Sequence, residues 1–466
     1  DNAGTFDVRT FNHGIVAGNF GSDPGSAARF DNSGTFRKST GAGAYGVAVA
    51  FHNLAQGTVD VLAGSFSFSG GGSTAGTNTM ATGATMTLSG GTHAVGAGAS
   101  FTGAGTLALT GAATVLDLLA PTTVHSRFTM SGGTVRGEDL TLNGPVVIGI
   151  SSSLGVMSGA ATTRLTGAST VGGGVNNPFG LDAGRVLRNE GAMVINGVLD
   201  LNRLNATGAG RIVNAAGATI DVQTFNQSIH ATDHSATNPL DNGTDALIDN
   251  AGTFRKSTVG NYSIFVRFEN TGVVDVTAGS LTFFGGLTNA GTLRVGAGTT
   301  LTLGAPGFVN TGTIAGHGTV VASGGALLNQ GLVAPGTSTG HLSFTGALTL
   351  DDAGVVAIEL AGPANADLLA VSGDAVLGGA LVVTRLDGYA PAVGDSFVVM
   401  TFGGRAGTLF DSVSFAGFGA GVSFDVLYHD HDVTLSVAAV PAPHAAWLGG
   451  MGLVMLACRV RRSRRT

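Results

Sequence analysis

Tyr428-His429-Asp430-His431-Asp432 places imidazole and carboxylate donors side by side, the donor types that hold divalent metals. The stretch lies between the alternating runs Phe424-Asp425-Val426-Leu427 and Val433-Thr434-Leu435, which makes it a polar hairpin turn. No second cluster at a matching spacing completes a ligand set. His230, Asp233 and His234 share a polar stretch with Asn238-Pro239 and Asp241-Asn242-Gly243, the composition of a surface loop. Asp351-Asp352 is a paired carboxylate of the kind used in acid-base chemistry, and its position between strands reads as a turn. Arg37-Lys38 is a basic pair suited to an acidic ligand, but it recurs as Arg255-Lys256. A catalytic constellation is assembled once, so the repetition points to an exposed scaffold position. The many Gly-x-Gly strings lack the strand-to-helix context and following Lys-Ser/Thr of a phosphate loop, and the calcium nonapeptide Gly-Gly-x-Gly-x-Asp does not occur. No catalytic residue, cofactor or metal ligand is assigned, and the chain does not read as an enzyme.

What positions these residues is a repetitive β scaffold. Of 466 residues 43% are hydrophobic and 11% charged, a balance that buries a core rather than staying disordered. The 78 glycines and 11 prolines punctuate runs of Val, Leu, Phe and Thr as turn residues, and 25 Phe against 4 Tyr suit stacking inside a core. The net charge of −7 hides a division: with five arginines of the last eight residues set aside, 17 basic residues face 29 acidic ones. That acidic body lacks the basic face a nucleic acid requires. Cys458 is the single cysteine, so no intrachain disulfide forms.

Residues 31–40 (DNSGTFRKST) recur at 249–258 (DNAGTFRKST), and matches continue in order on both sides. Thr10-Phe11-Asn12 answers Thr224-Phe225-Asn226, and Val59-Asp60-Val61 answers Val274-Asp275-Val276. A block of roughly a hundred residues is duplicated. Within the second copy, Asn-x-Gly units start at Asn250, Asn270, Asn289, Asn310 and Asn329, spaced 20, 19, 21 and 19 residues apart. That spacing suits one coil of a parallel β-helix, and runs such as Ser65-Phe66-Ser67-Phe68-Ser69 alternate with the period of a strand. A β-sandwich array or small barrels would recur every 8–12 residues instead. Asn and Gly tolerate left-handed backbone, so the units are expected to mark one corner of every coil, their asparagines hydrogen-bonding from coil to coil.

The expected fold class is all-β: a right-handed parallel β-helix, a C-terminal β module and a short C-terminal transmembrane helix. Its divisions are a first repeat block (1–118), less regular coils (119–188), a second repeat block (189–335), a capping module of longer strands (336–437) and a tail (438–466). The repeat is already under way at Asp1, without an initiating Met or a signal peptide, which suggests a processed chain or a piece of a longer one.

The tail has three parts in order. Val440-Pro441-Ala442-Pro443 precedes an apolar run over 445–458, including Ala445, Trp447, Leu448, Leu453, Val454, Leu456 and Cys458, and then come Arg459, Arg461, Arg462, Arg464 and Arg465. The run is shorter than the ~20 residues that cross a bilayer unaided, and the arginines belong on the cytoplasmic side. This end resembles the PEP-CTERM sorting signal of Gram-negative bacteria, with Ala442 where that family has Glu. The resemblance implies export, a transient stay in the inner membrane, processing near Pro441 and Pro443 by an exosortase-like enzyme, and delivery to the cell surface or extracellular matrix. More loosely, Pro335-Gly336-Thr337-Ser338-Thr339-Gly340 and the Asn-x-Gly-Thr units are similar to autotransporter-type and filamentous-adhesin β-helix passengers. The expected role is therefore an exported structural or adhesin-like protein of the cell surface or extracellular matrix, acting in a biofilm or matrix, with exopolysaccharide or other matrix components as partners. The alternatives are a carbohydrate-active β-helix enzyme, marked by three or more carboxylates converging in a groove, and a spacer for a further N-terminal domain.

Overall fold

Short alternating runs cannot bury both faces in an isolated hairpin, but stacked in register they share one continuous core. A computed structural model describes residues 1–439 apart from 11, 19–24, 26, 151, 337, 387 and 420. Each coil contributes three short strands separated by corners, and equivalent strands of successive coils pair in parallel to form three faces. One coil, for example, runs through Leu247–Asn250, Thr253–Lys256 and Asn261–Ile264, and the next through Arg267–Asn270, Val273–Val276 and Ser280–Phe283. About 16 turns form this parallel β-solenoid, which at about 4.8 Å per coil spans on the order of 75 Å.

Period-two alternation decides what points inward. In Thr253–Lys256 and Val273–Val276 the second and fourth residues are buried. Along one face the inward positions form a column, Phe254, Val274, Leu293, Ile314, Val333, Val356 and Leu381, paired from coil to coil and all but closed to solvent. Near the start the core between the faces is aromatic: Phe36 of one face stacks on Phe66 of the next at 4.6 Å, and Phe51 of the third packs on Phe68 at 4.8 Å. Each such side chain contributes about 1.5–3 kcal/mol by burial.

The coils of 119–188 are as well formed as the rest, with strands such as Thr122–Val124, Leu140–Leu142 and Thr162–Leu165 stacked on the same face. Their Asn-x-Gly phase is missing because Val124, Leu142 and Leu165 occupy the position that Asn189 takes one coil later. The inward site is kept, filled by an apolar residue.

The duplicated blocks do not occupy the same side of the solenoid. Thr35–Lys38 stacks between Thr5–Val8 and Thr58–Val61 on the face that later carries Leu247–Asn250, whereas its copy Thr253–Lys256 lies on the following face.

Beyond Pro335 the strands lengthen, as the sequence suggested, but the parallel ladder runs on without a break. Leu332–Pro335 pairs in parallel with Val355–Gly362, which pairs with Ala380–Arg385 and then Ser412–Ala416. Antiparallel pairing closes the end, where Asp432–Ala439 lies between Ser396–Thr401 and Val422–Tyr428. There Phe424 stacks on Phe415 at 4.6 Å and meets Phe418 edge-on. This hairpin satisfies strand edges that another parallel coil would otherwise have to cover.

Candidate functional site

The Asn-x-Gly units do form a ladder. Asn250, Asn270, Asn289 and Asn310 each donate from Nδ2 to Oδ1 of the next asparagine, ending on Asn329, every bond at 2.7 Å. Two further members precede them: Asn189 donates to Asn214 at 2.9 Å and Asn214 to Asn250 at 2.7 Å. The first block has a shorter version, Asn2 to Asn32 to Asn53 at 2.7 and 2.9 Å. From Asn189 to Asn329 the side chains are buried, so this polar column binds coil to coil rather than to a ligand.

The expected reason for its glycines needs correction. None of Gly252, Gly272, Gly291, Gly312 or Gly331 has a positive φ. Each is required because the previous coil passes too close: a Cβ on Gly272, Gly291, Gly312 or Gly331 would lie 2.1 Å from the preceding coil's glycine carbonyl. The left-handed asparagines are instead Asn12 (φ 56°) and Asn226 (φ 52°), equivalent positions of the duplicated Thr-Phe-Asn corner.

The two basic pairs are also corrected. Strand alternation sends Arg37 and Arg255 outward, where they pair with Asp60 at 2.9 Å and Asp221 at 3.1 Å. It sends Lys38 and Lys256 inward, and both are fully buried rather than exposed. The Lys38 amine donates to the carbonyls of Thr40 (2.6 Å), Gly41 (3.0 Å) and Thr10 (3.4 Å), and Lys256 donates to the Thr258 carbonyl and hydroxyl. Burial pushes both amines below the ordinary lysine value. Each lysine acts as an internal corner brace.

The largest departure from the regular coil lies at the loop that follows His230, the last residue of strand Gln227–His230, and holds Asp233 and His234. From Asn214 to Asn250 one coil takes 36 residues, against 19–21 between later ladder members. The excess, residues 231–246, folds against residues 201–210 of the coil before. Asn205 donates to the Thr237 hydroxyl at 3.0 Å, Ala209 N to Asp245 at 3.0 Å, and Asn202 Nδ2 to the Thr232 carbonyl at 2.8 Å. His234 donates through its backbone to the Asp241 carbonyl at 2.9 Å, while its Nε2 meets the Asn202 carbonyl at 3.0 Å.

Within and beneath this pair of loops, Asn202 and Asp241 on the loops and Asp182 and Asp200 on the wall are all buried. Asp200 accepts from Asn202 N (3.1 Å), Thr232 N (3.0 Å) and the Thr232 hydroxyl (2.6 Å), with His230 Nε2 at 3.7 Å. Asp182 accepts from Ala183 N at 2.7 Å and from Leu204 N. Asp233 is exposed and caps its own turn through Ser235 N at 2.8 Å. The sequence had drawn attention to the loop; Asp182, Asp200 and Asn202 were missed because they sit on earlier coils. Excess coil length was the available signal.

The other candidates from the sequence lie in turns. Val422–Tyr428 and Asp432–Ala439 form the hairpin around His429, whose Nδ1 meets Asp432 at 2.7 Å, while His431 Nδ1 meets the Gly403 carbonyl at 2.6 Å. Asp351 accepts from Ala353 N at 3.0 Å in the turn leading to Val355–Gly362. Among the described residues no three His, Cys, Asp or Glu side chains form a metal-ligand set, and no helix is long and apolar enough to cross a membrane. The tail, with Val440, Pro441, Ala442, Pro443, the apolar run 445–458 and the arginines, lies outside the described residues.

Burial pushes the Asp182 carboxyl up to about 6, with the Asp241 and Asp200 charges adding to it, and burial pushes Asp367 up to about 7, reinforced by Glu359. Such groups favour the fold fully below the unfolded carboxyl value and lose that contribution as pH rises through the folded one. Glu190, held low by Arg188, and Asp395, held low by the Tyr389 hydroxyl, contribute above the unfolded value and lose it in acid. Asp182 and Asp367 are therefore expected to make stability fall as pH rises from about 4 to about 7, the span between their unfolded and folded values. Thermal melts across that span check this; a melting temperature that climbs steadily from pH 4 to 7 contradicts it.

No protein-family model matches this sequence, and comparison with curated proteins finds no significant relative.

Proposed function

We propose that this chain is an exported structural or adhesin-like protein of the cell surface or extracellular matrix, sorted by a PEP-CTERM-like tail. The observation that carries the reading is the uninterrupted parallel solenoid of about 16 turns, braced inside by asparagine and lysine. Such a rod is suited to displaying a long, rigid, weakly acidic surface, on which multivalent contacts add up where single contacts are weak. On this reading the winding is right-handed and the run 445–458 is a short membrane helix. An exosortase-like enzyme cleaves near Pro441, and exopolysaccharide or other matrix components are the partners. The carbohydrate-active alternative calls for carboxylates lining an open groove, whereas Asp182, Asp200 and Asp241 are buried beneath a loop.

The test is fractionation of cells carrying an epitope upstream of Pro441, with and without residues 440–466. The intact form is expected at the surface or in the matrix, shortened at its C-terminus, and the deleted form is expected to lose that processing. Identical distribution and length of the two forms would remove the sorting role.

A further inference from the structure

Asp241 is 2% exposed, and neither of its carboxylate oxygens has a hydrogen-bond partner; the side-chain oxygen of the fully buried Asn202 is likewise unpartnered. A buried carboxylate without a donor is costly, and its usual remedies are a proton, a basic side chain or a metal ion. Among the described residues the only basic side chain within ion-pair distance of Asp182, Asp200 or Asp241 is His230, which faces Asp200. Of the neighbouring donors, Thr232 N and hydroxyl serve Asp200 and Leu204 N serves Asp182, while Arg203 Nε has no partner among the described residues and forms no ion pair with these carboxylates.

The two unpartnered groups belong to one assembly. His234 joins the Asn202 carbonyl to the Asp241 carbonyl through its ring and its backbone N–H. Asn202 Nδ2 is turned to the Thr232 carbonyl at 2.8 Å, which assigns the opposite side of that amide to its oxygen. Gly243, two residues beyond Asp241, has a φ of 71° and lies so close that a Cβ there would be 3.5 Å from Asn202 Nδ2. The loop thus turns sharply over Asn202 and brings the Asp241 segment down upon it.

We propose that the loops 201–210 and 231–246 enclose a binding site for a hard divalent cation of calcium type, held by the Asp241 carboxylate and the Asn202 side-chain oxygen. All the donors are oxygen, and one is a neutral amide. Calcium takes carboxylate, amide and backbone oxygens in irregular geometry, with water completing the shell, whereas zinc prefers Cys and His, and magnesium demands a near-ideal octahedron. The Asp182 and Asp200 carboxylates supply long-range attraction without acting as ligands. Two loops that carry no strand of their own, 201–210 and 231–246, are thereby fastened to the solenoid wall. The inference does not depend on the sorting role.

The test uses the full chain, stripped with a chelator, in calcium titrations followed by calorimetry, thermal melting and limited proteolysis of the loop. Calcium is expected to bind, raise the melting temperature and protect residues 231–246. Asp241→Asn is expected to weaken binding at least tenfold and abolish both effects, while melting no lower than the wild type in chelator because a buried charge is gone. Asp233→Asn, exposed in the same loop, is expected to respond as the wild type does. Asn202→Ala gives a second measurement if Asp241→Asn fails to fold. The proposal is overturned if millimolar calcium produces neither heat nor stabilisation, if binding survives both Asp241→Asn and Asn202→Ala unchanged, or if magnesium acts equally, which is the signature of diffuse screening.

Discussion

Gly312→Ala is expected to destabilise the solenoid by about 3 kcal/mol or more, although it adds a single methyl group. The Cβ would lie 2.1 Å from the Gly291 carbonyl oxygen and 2.9 Å from Asn289 Nδ2. The first neighbour is backbone, and it is itself fixed by the coil beneath, so neither side yields cheaply. Separation of the two coils would also weaken the Asn289–Asn310 bond and the adjoining strand pairs. Gly298→Ala is the matched control. Gly298 has a φ of 71° with nothing within 4 Å of its would-be Cβ, so only backbone strain of about 1–2 kcal/mol is expected there. Denaturant unfolding of both variants decides the point, and equal losses would mean that coil contact is not what requires glycine at position 312. In a one-dimensional stack the damage can also appear as a second transition, since coils on either side of the defect are coupled only through it.

Asn289→Asp is expected to cost about 3–5 kcal/mol at neutral pH, more than Asn289→Ala at about 1–3 kcal/mol. Asn289 uses its amide twice over: Oδ1 accepts from Asn270, and Nδ2 donates to Asn310 Oδ1 at 2.7 Å and toward the Gly291 and Thr313 carbonyls. A carboxylate keeps the first bond and turns the others into oxygen against oxygen, in a site that is 1% exposed. Alanine leaves Asn310 Oδ1 without its donor and takes one acceptor from Asn270 Nδ2, but it brings no charge into the site. The charged form is the one penalised, so the folded-state pKa of the new aspartate rises above its unfolded value. Its deficit should therefore be complete once pH exceeds the raised value, shrink as pH falls from there toward about 4, and be smallest below that, where the acid regains one donor. Denaturation at pH 4 and pH 7 measures this, and a deficit independent of pH would show that the ladder is indifferent to charge.

Much of the scaffold was legible because the same physical requirement recurs at constant spacing. Asn250 through Asn329 announced themselves as one residue type at one phase, and their hydrogen bonds follow. Val124, Leu142 and Leu165 hold the equivalent site silently, since an apolar residue there looks like any other strand residue. The inward lysines were within reach of the same reasoning: if Phe36 points into the core, period two sends Lys38 there as well. The basic pair drew attention to charge when alternation was the better guide.

The sequence by itself determined the β class, the coil length, the duplication, the hairpin around His429 and the order of the tail's parts, because these depend on local alternation and on spacings within one or two coils. Only the tertiary structure decided which coils meet and how they are turned. Loop lengths accumulate along the chain, so the second Thr-Phe-Arg-Lys strand arrives one face further round than the first, which no local pattern reveals. The same accumulation places Asp182, Asp200 and Asp241, each ordinary in its own segment, under one pair of loops. Parallel stacking joins residues a coil apart, and an insertion in one coil is held by whatever the previous coil presents beneath it.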